Sequence, residues 1–403
     1  MKFKRVFAIV MDSVGIGAEP DADKFFNGDH NDVGSNTWLH ISEACHGLKV
    51  PTMNALGLND LCPEIVGTSK VEHPNSYVQT MRELSRGKDT LTGHWEMMGI
   101  ETKEPLVTFT DTGFPKELMD ELSKRTERKL LGNYAQSGTV ILDELGEQSI
   151  AEKALIVYTS SDSVLQIAAN VDLVCPLEEL YKDCEIAREL CMKKEWKVGR
   201  IIARPFVGTK KGHFKRTSDR RDYALKPAGR TCMMDLVDNG YTVLAVGKIH
   251  DIFAGEGMDE SWHITSNHDG MLKTIDIAKQ RDFTGLCFVN LADFDVLYGH
   301  RRNPEGYGKC IEEFDQDLKV LIDNLKEDDL LMITADHGND PTWWGTDHTR
   351  ERVPLISYSR LYRNGRKLEE VDTFGYMGKT ILANFGLKGS PNQVGGVIEE
   401  LLK

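Results

Sequence analysis

Apolar residues occur along this chain in short runs that end abruptly at a polar residue or a glycine. The runs cover residues 7–11, 241–246, 286–292 and 330–334. Between the last two runs, apolar residues from Ile311 to Leu325 recur with a helical period, and a polar turn leads into the next run. This alternation predicts an α/β core in which helices pack on the faces of a sheet.

The middle of the chain has a different pattern of apolar and charged residues, which predicts an inserted second domain. We expect a charged amphipathic helix over 116–131, a strand over 154–159 and a helix over 177–194. A basic segment follows at 208–227, either as a solvated loop or as a wall that faces an anion. The predicted organisation is a core domain at 1–104 and 224–403 with an inserted domain at 105–223.

Composition and charge narrow the class of protein. The 403 residues include 49 Lys plus Arg against 63 Asp plus Glu, and the net charge of −14 disfavours general nucleic-acid binding. We expect neither a membrane span nor a secretory leader, and therefore a cytoplasmic protein. The eight cysteines include no CxxC pair, which favours reduced thiols.

Acidic residues stand after three of the apolar runs, and histidines follow two of them. Loops beyond the carboxyl ends of the strands form the ligand crevice of an open α/β sheet, so we expect these side chains to converge. The candidate metal ligands are Asp12, Asp295, His300, Asp336, His337 and His348. Spacing alone does not choose between Asp293 and Asp295, because alternate residues of an extended segment point the same way.

Six such ligands suffice for two divalent ions. The three carboxylates leave two divalent ions with a net positive charge, which attracts a phosphoryl group. Oxygen and imidazole ligands without thiolate fit Mn²⁺ or Zn²⁺, and suit Mg²⁺ less well.

A nucleophile for phosphoryl transfer is expected in the glycine-flanked segment at 87–96. This segment offers Thr90 and Thr92, with Lys88 nearby to stabilise negative charge. Thr92 is equally suited to the start of a helix. The residues alone do not choose between the two threonines.

Three segments carry these candidates: GKDTLTGHWE, NLADFDVLYGHRR and TADHGNDPTWWGTDHTRERVPL. Further segments are the opening VFAIVMDSVGIGAEPDA, then YTSSDSVLQIAA and GRIIARPFVG in the middle region, and VGKIHDIFAG after it. In this order along the chain, they resemble the signature segments of the phosphopentomutase family, which belongs to the alkaline phosphatase superfamily.

The resemblance implies an alkaline phosphatase-like core sheet flanked by helices, with a smaller α/β cap domain inserted. It implies two Mn²⁺ ions, one on Asp295, His300 and His348 and the other on Asp12, Asp336 and His337. It also implies a phosphothreonine at Thr90, which favours Thr90 over Thr92. The implied substrate contacts are Ser160, Asp162, Arg200, Ile202 and Lys248.

The implied reaction interconverts ribose or 2-deoxyribose 1-phosphate and 5-phosphate, linking nucleoside breakdown to pentose phosphates. Phospho-Thr90 would give its phosphoryl group to the sugar phosphate, and the resulting bisphosphate would return the other one. Glucose 1,6-bisphosphate or a pentose 1,5-bisphosphate would serve as activator. We expect a monomer whose partner is a small sugar phosphate, with no nucleic acid and no membrane.

Two other classes of function compete with this interpretation. A phosphatase or a phosphoglycerate mutase on the same core would share the two-metal chemistry, but that mutase family uses a serine nucleophile and a different insert. A noncatalytic protein would hold the ions structurally. Structural sites usually fill their coordination shell with protein ligands, whereas three ligands per ion leave positions open, which favours an enzyme.

Overall fold

The computed structural model describes residues 1–160 and 163–403. The chain folds into two compact units, a core unit formed by Met1–Glu104 with Pro227–Lys403 and an inserted unit formed by Pro105–Lys226. A boundary at residue 223 would cut the strand Arg221–Ala224, which pairs with Arg200–Val207 inside the inserted unit. The expected α/β class is confirmed, since both units combine a sheet with helices.

The strands alternate with helices along most of the chain. In chain order they are β1 (Arg5–Met11), β2 (Phe26–Asn27), β3 (His30–Asn31), β4 (Ser76–Met81), β5 (Leu130–Ala135), β6 (Leu155–Thr159), β7 (Val164–Asn170), β8 (Arg200–Val207), β9 (Lys215–Arg216), β10 (Arg221–Ala224), β11 (Thr242–Val246), β12 (Glu260–Trp262), β13 (Gly285–Leu291), β14 (Asp329–Thr334) and β15 (Val353–Tyr358).

The α-helices are α1 (Thr37–Ala44), α2 (Pro51–Ala55), α3 (Leu58–Leu61), α4 (Thr90–Met97), α5 (Lys116–Thr126), α6 (Gly138–Glu152), α7 (Leu177–Leu190), α8 (Cys232–Asp238), α9 (Ile249–Ile252), α10 (Asn267–Gln280), α11 (Pro304–Asn324), α12 (Gly375–Asn384) and α13 (Glu399–Leu402). Short 3₁₀ turns span Ala22–Lys24 and Lys194–Trp196, and a π-helical turn spans Phe294–Gly299.

The core sheet has the order β12-β11-β13-β1-β14-β15-β4. Strand β1 is buried along its whole length and pairs in parallel with β13 on one side and β14 on the other. Val10 therefore lies level with both Asn290 and Thr334. This register brings the carboxyl ends of three parallel strands side by side, which is where an α/β sheet forms its ligand crevice.

Helix α11 packs against the π-helical turn that follows β13 and against α1, α2 and α10. It buries Ile311, Phe314, Leu318 and Leu321, the positions at which the sequence predicts an apolar helical stripe. Asn303 caps its start by accepting from the Gly306 amide. The helix starts earlier than the apolar stripe, at Pro304, a residue type suited to the first helical turn.

The inserted unit has its own sheet, with the order β10-β8-β7-β6-β5 and β9 paired to β8. Residues of α5 and α7 share one apolar cluster with one face of this sheet, and residues of α6 share a second cluster with the other face. The predicted helix at 116–131 is wrong in length. Helix α5 ends at Thr126, because Glu127 adopts a left-handed φ of +55°, and β5 follows.

All eight cysteines are free thiols in the structure. Within the described residues, every helix is too short or too polar to cross a membrane.

Candidate active site

Three adjacent strands of the core sheet each deliver one buried aspartate. Asp12 follows β1 directly, Asp336 follows β14, and Asp295 lies in the π-helical turn after β13. Their exposed fractions are 1%, 0% and 5%. The parallel order of the strands places the three carboxylates together although they are far apart in sequence.

The first cluster of possible ligands, the Asp295 group, consists of Asp295, His300 and His348. The Nε2 atoms of His300 and His348 lie 3.1 and 3.5 Å from the Asp295 carboxylate. His300 Nδ1 lies 2.7 Å from the Thr346 carbonyl oxygen, so Nδ1 carries the proton and the Nε2 lone pair faces the cluster. Asp293 instead accepts from the Asn267 amide and stays outside the group.

The second cluster, the Asp12 group, consists of Asp12, Asp336 and His337. His337 Nε2 lies 3.3 Å from Asp336 Oδ2 and 3.7 Å from Asp12 Oδ1. The rings of His337 and His348 are 4.0 Å apart between centroids, so the two groups adjoin. The structure thus brings together the same two sets of three residues that the sequence resemblance implies.

The electrostatics of these carboxylates favour a bound cation. Burial, and then the charges of Asp336 and Asp295, raise the pKa of Asp12 to about 6. Burial also opposes ionisation of Asp295, but His300 and His348 outweigh it and hold the pKa of Asp295 well below its usual range. The cluster therefore concentrates negative charge away from water.

Two carboxylate oxygens test whether the residues fit a metal ion. Asp12 Oδ1 and Asp336 Oδ2 are buried and have no hydrogen-bond partner among the described residues. Both oxygens face His337 Nε2. Unpartnered buried carboxylate oxygens are costly unless a cation ligates them, so the donor set fits a divalent ion with oxygen and nitrogen ligands.

Thr90 is the first residue of α4 and reaches the Asp12 group. Its Oγ1 lies 3.1 Å from His337 Nε2. Asp89 caps the helix by accepting from the Thr92 amide, at 3.1 Å, and from the Thr92 hydroxyl, at 2.7 Å. Thr92 is fully buried in the first turn of α4, so its expected place at a helix start is correct, but the N-cap is Asp89 rather than Thr92.

The close approach of α4 to the sheet depends on Gly93. A Cβ atom at this position would lie 2.2 Å from the Asp336 carbonyl oxygen. Only glycine admits this contact between main chains, which places Thr90 beside the residues that follow β14.

His94 and Asn290 belong to this site although the sequence did not single them out. His94 Nε2 lies 3.2 Å from Asn290 Nδ2, and the same amide group donates to Asp12 Oδ2 at 2.8 Å. Both side chains are completely buried. For His94, the available signal was its spacing of four residues from Thr90, which puts both on one face of a helix.

Lys248 follows β11 and lines a cavity of about 150 Å³ together with Asn290, Asn267 and Asp293. Its charge acts to lower the pKa of Asp12, but by less than burial, Asp336 and Asp295 raise it. Lys88 has a different neighbourhood. Its ammonium group lies 3.0 Å from Asp32 Oδ2 and donates to the Phe26 carbonyl oxygen.

The remaining predicted contacts lie in the inserted unit. Arg200 and Ile202 are alternate residues of β8 and share one face of its sheet, and Ile202 is buried. The Ser160 carbonyl oxygen accepts from the Thr110 hydroxyl at 3.1 Å. Asp162 lies outside the described residues.

Comparison with known proteins identifies the class and then the family. A model of the metalloenzyme superfamily matches residues 4–389. The chain is 55% identical over 394 residues to a phosphopentomutase of Clostridium perfringens, covering 98% of each chain. It is 54% identical over 394 residues to a phosphopentomutase of Clostridium beijerinckii, again covering 98% of each chain.

Among solved structures, the PH0037 protein from Pyrococcus horikoshii matches with a TM-score of 0.50 and 14% identity, covering 98% of this chain and all of that one. This match concerns the fold alone. The fold and the paired ligand groups define a metalloenzyme, and the superfamily match covers nearly the whole chain. The chain belongs to the phosphopentomutase family and is an isomerase, as the sequence resemblance predicts.

Proposed function

We propose that this enzyme interconverts the 1-phosphate and the 5-phosphate of ribose or 2-deoxyribose, with Thr90 as the phosphoryl carrier. The position of the Thr90 hydroxyl, 3.1 Å from His337 Nε2 at the Asp12 group, is the observation that carries this proposal. The relatives named phosphopentomutase support the substrate class.

Hydrogen bonding supports Thr90 over Thr92 as the carrier. The Thr92 hydroxyl is fully buried and donates to Asp89, so a phosphoryl group on it would break the helix cap. Thr90 is partly exposed at the first turn of α4. Amide groups at the start of a helix stabilise a nearby phosphoryl group.

The two groups of ligands would hold two divalent ions, which we propose to be Mn²⁺ rather than Zn²⁺ or Mg²⁺. Each group combines carboxylate with imidazole, which suits Mn²⁺ better than Mg²⁺. Bound ions would withdraw charge from phosphoryl oxygens and favour the ionised hydroxyl of a nucleophile. Three protein ligands for each ion leave coordination positions open to substrate.

Transfer proceeds in two balanced steps. The Oγ1–P bond of phospho-Thr90 breaks as the free hydroxyl of the sugar phosphate forms a new O–P bond, which yields a pentose bisphosphate and free Thr90. The O–P bond of the other phosphate then breaks as Thr90 Oγ1 forms a new O–P bond, which releases the isomeric sugar monophosphate and restores phospho-Thr90. Glucose 1,6-bisphosphate or a pentose 1,5-bisphosphate would load Thr90 at the start.

We propose one substrate contact in the core unit and four in the inserted unit. We assign a phosphate contact to Lys248, because its cavity adjoins Asn290 and hence the Asp12 group. Ser160, Arg200 and Ile202, with Asp162, are the proposed sugar-phosphate contacts of the inserted unit, which would act as a cap. The proposed enzyme is cytoplasmic and monomeric.

Product analysis tests the reaction. The Mn²⁺-loaded enzyme is incubated with ribose 1-phosphate and a trace of glucose 1,6-bisphosphate, and ribose 5-phosphate and inorganic phosphate are measured in the quenched sample. Ribose 5-phosphate without matching inorganic phosphate supports the proposal. Inorganic phosphate alone identifies a phosphatase, and the absence of both products rejects this substrate.

Intact mass spectrometry after incubation with glucose 1,6-bisphosphate tests the carrier. The wild type and Thr92→Val should each gain one phosphoryl group, whereas Thr90→Ala should gain none and lose mutase activity. Phosphorylation of Thr90→Ala would show that another residue is the phosphoryl carrier. The metal content of Thr90→Ala serves as the control for an intact site.

A further inference from the structure

The side chain of Arg302 is hydrogen-bonded to two segments of the chain that hold members of the Asp295 group. Arg302 adopts a left-handed φ of +51°. Its guanidinium group donates to several oxygens of the segment that follows β14 and to one oxygen of the π-helical turn Phe294–Gly299. The acceptors are Asn339 Oδ1 and the carbonyl oxygens of Gly299, Asp340, Trp344, Gly345 and Asp347.

The first connection runs through a buried amide. Arg302 Nη1 donates to Asn339 Oδ1 at 2.6 Å, and Asn339 Nδ2 donates to Asp295 Oδ1 at 2.7 Å. Because the guanidinium group is only a donor, it fixes which end of the Asn339 amide faces Asp295. Asn339 is completely buried, so both of these hydrogen bonds are shielded from solvent at the amide.

The second connection runs through the loop that carries His348. Residues 342–347 form no helix or strand and are mostly exposed, with Trp344 at 55% exposure. Arg302 holds this loop by the carbonyl oxygens of Trp344, Gly345 and Asp347. The Thr346 carbonyl oxygen, inside the same loop, accepts from His300. Arg302 therefore orients Asp295, His300 and His348 together.

The Asp12 group is oriented by other contacts. Asp12 accepts from Asn290, and Asp336 accepts from the Ser13 amide at 2.9 Å. The main chain beside His337 is anchored independently, since the Asn339 amide bonds to the Ser13 carbonyl oxygen at 3.0 Å. Loss of Arg302 would leave these bonds in place.

We propose that Arg302 is a positioning residue for the Asp295 group and sets the divalent-metal affinity of that group separately from the Asp12 group. The inference rests on the metal centre of the proposed function. Residues that orient metal ligands typically change metal affinity by about 10- to 100-fold when they are replaced.

The test uses the full-length enzyme, stripped with a chelator and titrated with Mn²⁺ while free Mn²⁺ is followed by electron paramagnetic resonance. Arg302→Lys keeps the positive charge but cannot span the same acceptors. Arg301→Lys is the matched control, because Arg301 is the exposed neighbour of Arg302. Melting of the metal-free proteins reports whether each variant is folded.

In Arg302→Lys we expect one ion to bind about 10- to 100-fold more weakly and the other to bind as in the wild type. Adding Asp12→Asn assigns the weakened ion. The double variant should lose affinity for both ions if Arg302 acts on the Asp295 group. Tight binding of one ion by the double variant would assign Arg302 to the Asp12 group and overturn the inference.

Other results also overturn the inference. They are unchanged affinities in Arg302→Lys, equal weakening of both ions, and the same loss in Arg301→Lys. If Arg302→Lys does not fold, Asn339→Ala decides by the same titration, since it removes only the amide connection to Asp295. A wild type that binds no Mn²⁺ rejects the proposed metal centre together with this inference, whereas two unaffected ions reject the inference alone.

Discussion

His94 lies one helical turn beyond Thr90 in α4, and its Nδ1 atom lies 3.2 Å from Oδ2 of Asp336. The same nitrogen lies 2.9 Å from the Thr90 carbonyl oxygen. Because Asn290 Nδ2 is a donor, His94 Nε2 accepts from it, and His94 Nδ1 carries a proton that it donates to the Thr90 carbonyl oxygen. His94 therefore ties the helix of Thr90 to Asp12 through Asn290, and its ring lies against the Asp336 carboxylate.

Replacing His94 with Phe should lower kcat about 10- to 100-fold, because an aromatic ring is kept while Asn290 and the Thr90 carbonyl oxygen each lose a partner. The measurement is steady-state mutase activity together with Mn²⁺ content. His268→Gln, at an exposed histidine paired with Asp317, should keep the wild-type kcat. An unchanged kcat in His94→Phe would restrict His94 to packing.

Removal of divalent metal should destabilise the fold. The buried carboxylates of Asp12, Asp295 and Asp336 would then repel one another without a cation. An ion present at 100 times its Kd stabilises a folded protein by about 2.7 kcal/mol, so a chelator should lower the Tm measurably. Mn²⁺ should restore the Tm of the wild type and should do so less for Asp336→Asn. An unchanged Tm on chelation would contradict the ligand assignment.

Arg5 and Asp329 form a buried ion pair at the opposite end of β1 from Asp12. Arg5 Nε and Nη2 bond to the two carboxylate oxygens at 2.8 and 2.6 Å, and both side chains are fully buried. Arg5→Leu leaves Asp329 unpaired and should lower the free energy of unfolding by about 3–5 kcal/mol.

The midpoint of urea denaturation checks the prediction for Arg5. Lys4→Gln is the adjacent control, because the pair of Lys4 with Asp282 is exposed and should contribute at most about 1 kcal/mol. Mutase activity of folded Arg5→Leu should survive, since β1 separates Arg5 from the site by about 20 Å. Equal midpoints for both variants would refute the special role of the buried pair.

Glu19 predicts a pH dependence of stability. Burial raises the pKa of Glu19 from 4.5 to about 7, against the opposing charges of Arg350 and Arg352 and the amide of Glu83, with Asp21 adding to the rise. A carboxyl whose pKa is higher in the folded state contributes stability below its unfolded pKa and loses it as the pH rises through its folded pKa.

The free energy of unfolding of the wild type relative to Glu19→Gln should therefore fall by about 2–3 kcal/mol between about pH 4.5 and pH 8. Urea denaturation of both proteins across this range measures the difference. A difference that stays constant, or that grows with pH, would show that Glu19 is ionised in the folded state.

Local patterns were sufficient to predict much of the core unit. The apolar runs that end at Asp12, Asp293 and Asp336 correspond to three adjacent parallel strands, because strands buried on both faces read as continuous apolar segments. The predicted core helix has its apolar face at the expected positions in α11. These features are determined by residues close together in the sequence, so the pattern of one sequence is enough to predict them.

Other features depend on contacts between distant segments, which spacing does not reveal. Strand β15 pairs antiparallel with β4, although more than two hundred and seventy residues separate them. Arg302 acts through the carbonyl oxygens of a distant loop, and any residue type supplies such an oxygen. Residues 116–131 have a helical pattern throughout, yet the left-handed Glu127 ends the helix and a strand begins.

The contact of Gly93 with the Asp336 carbonyl oxygen has a consequence for engineering. Two main chains, rather than two side chains, set the spacing between the helix that begins at Thr90 and the residues after β14. This spacing therefore does not depend on the sizes of side chains elsewhere in the core. Substitutions that change side-chain size elsewhere in the core unit can therefore be combined while position 93 stays glycine, because they leave this main-chain contact in place.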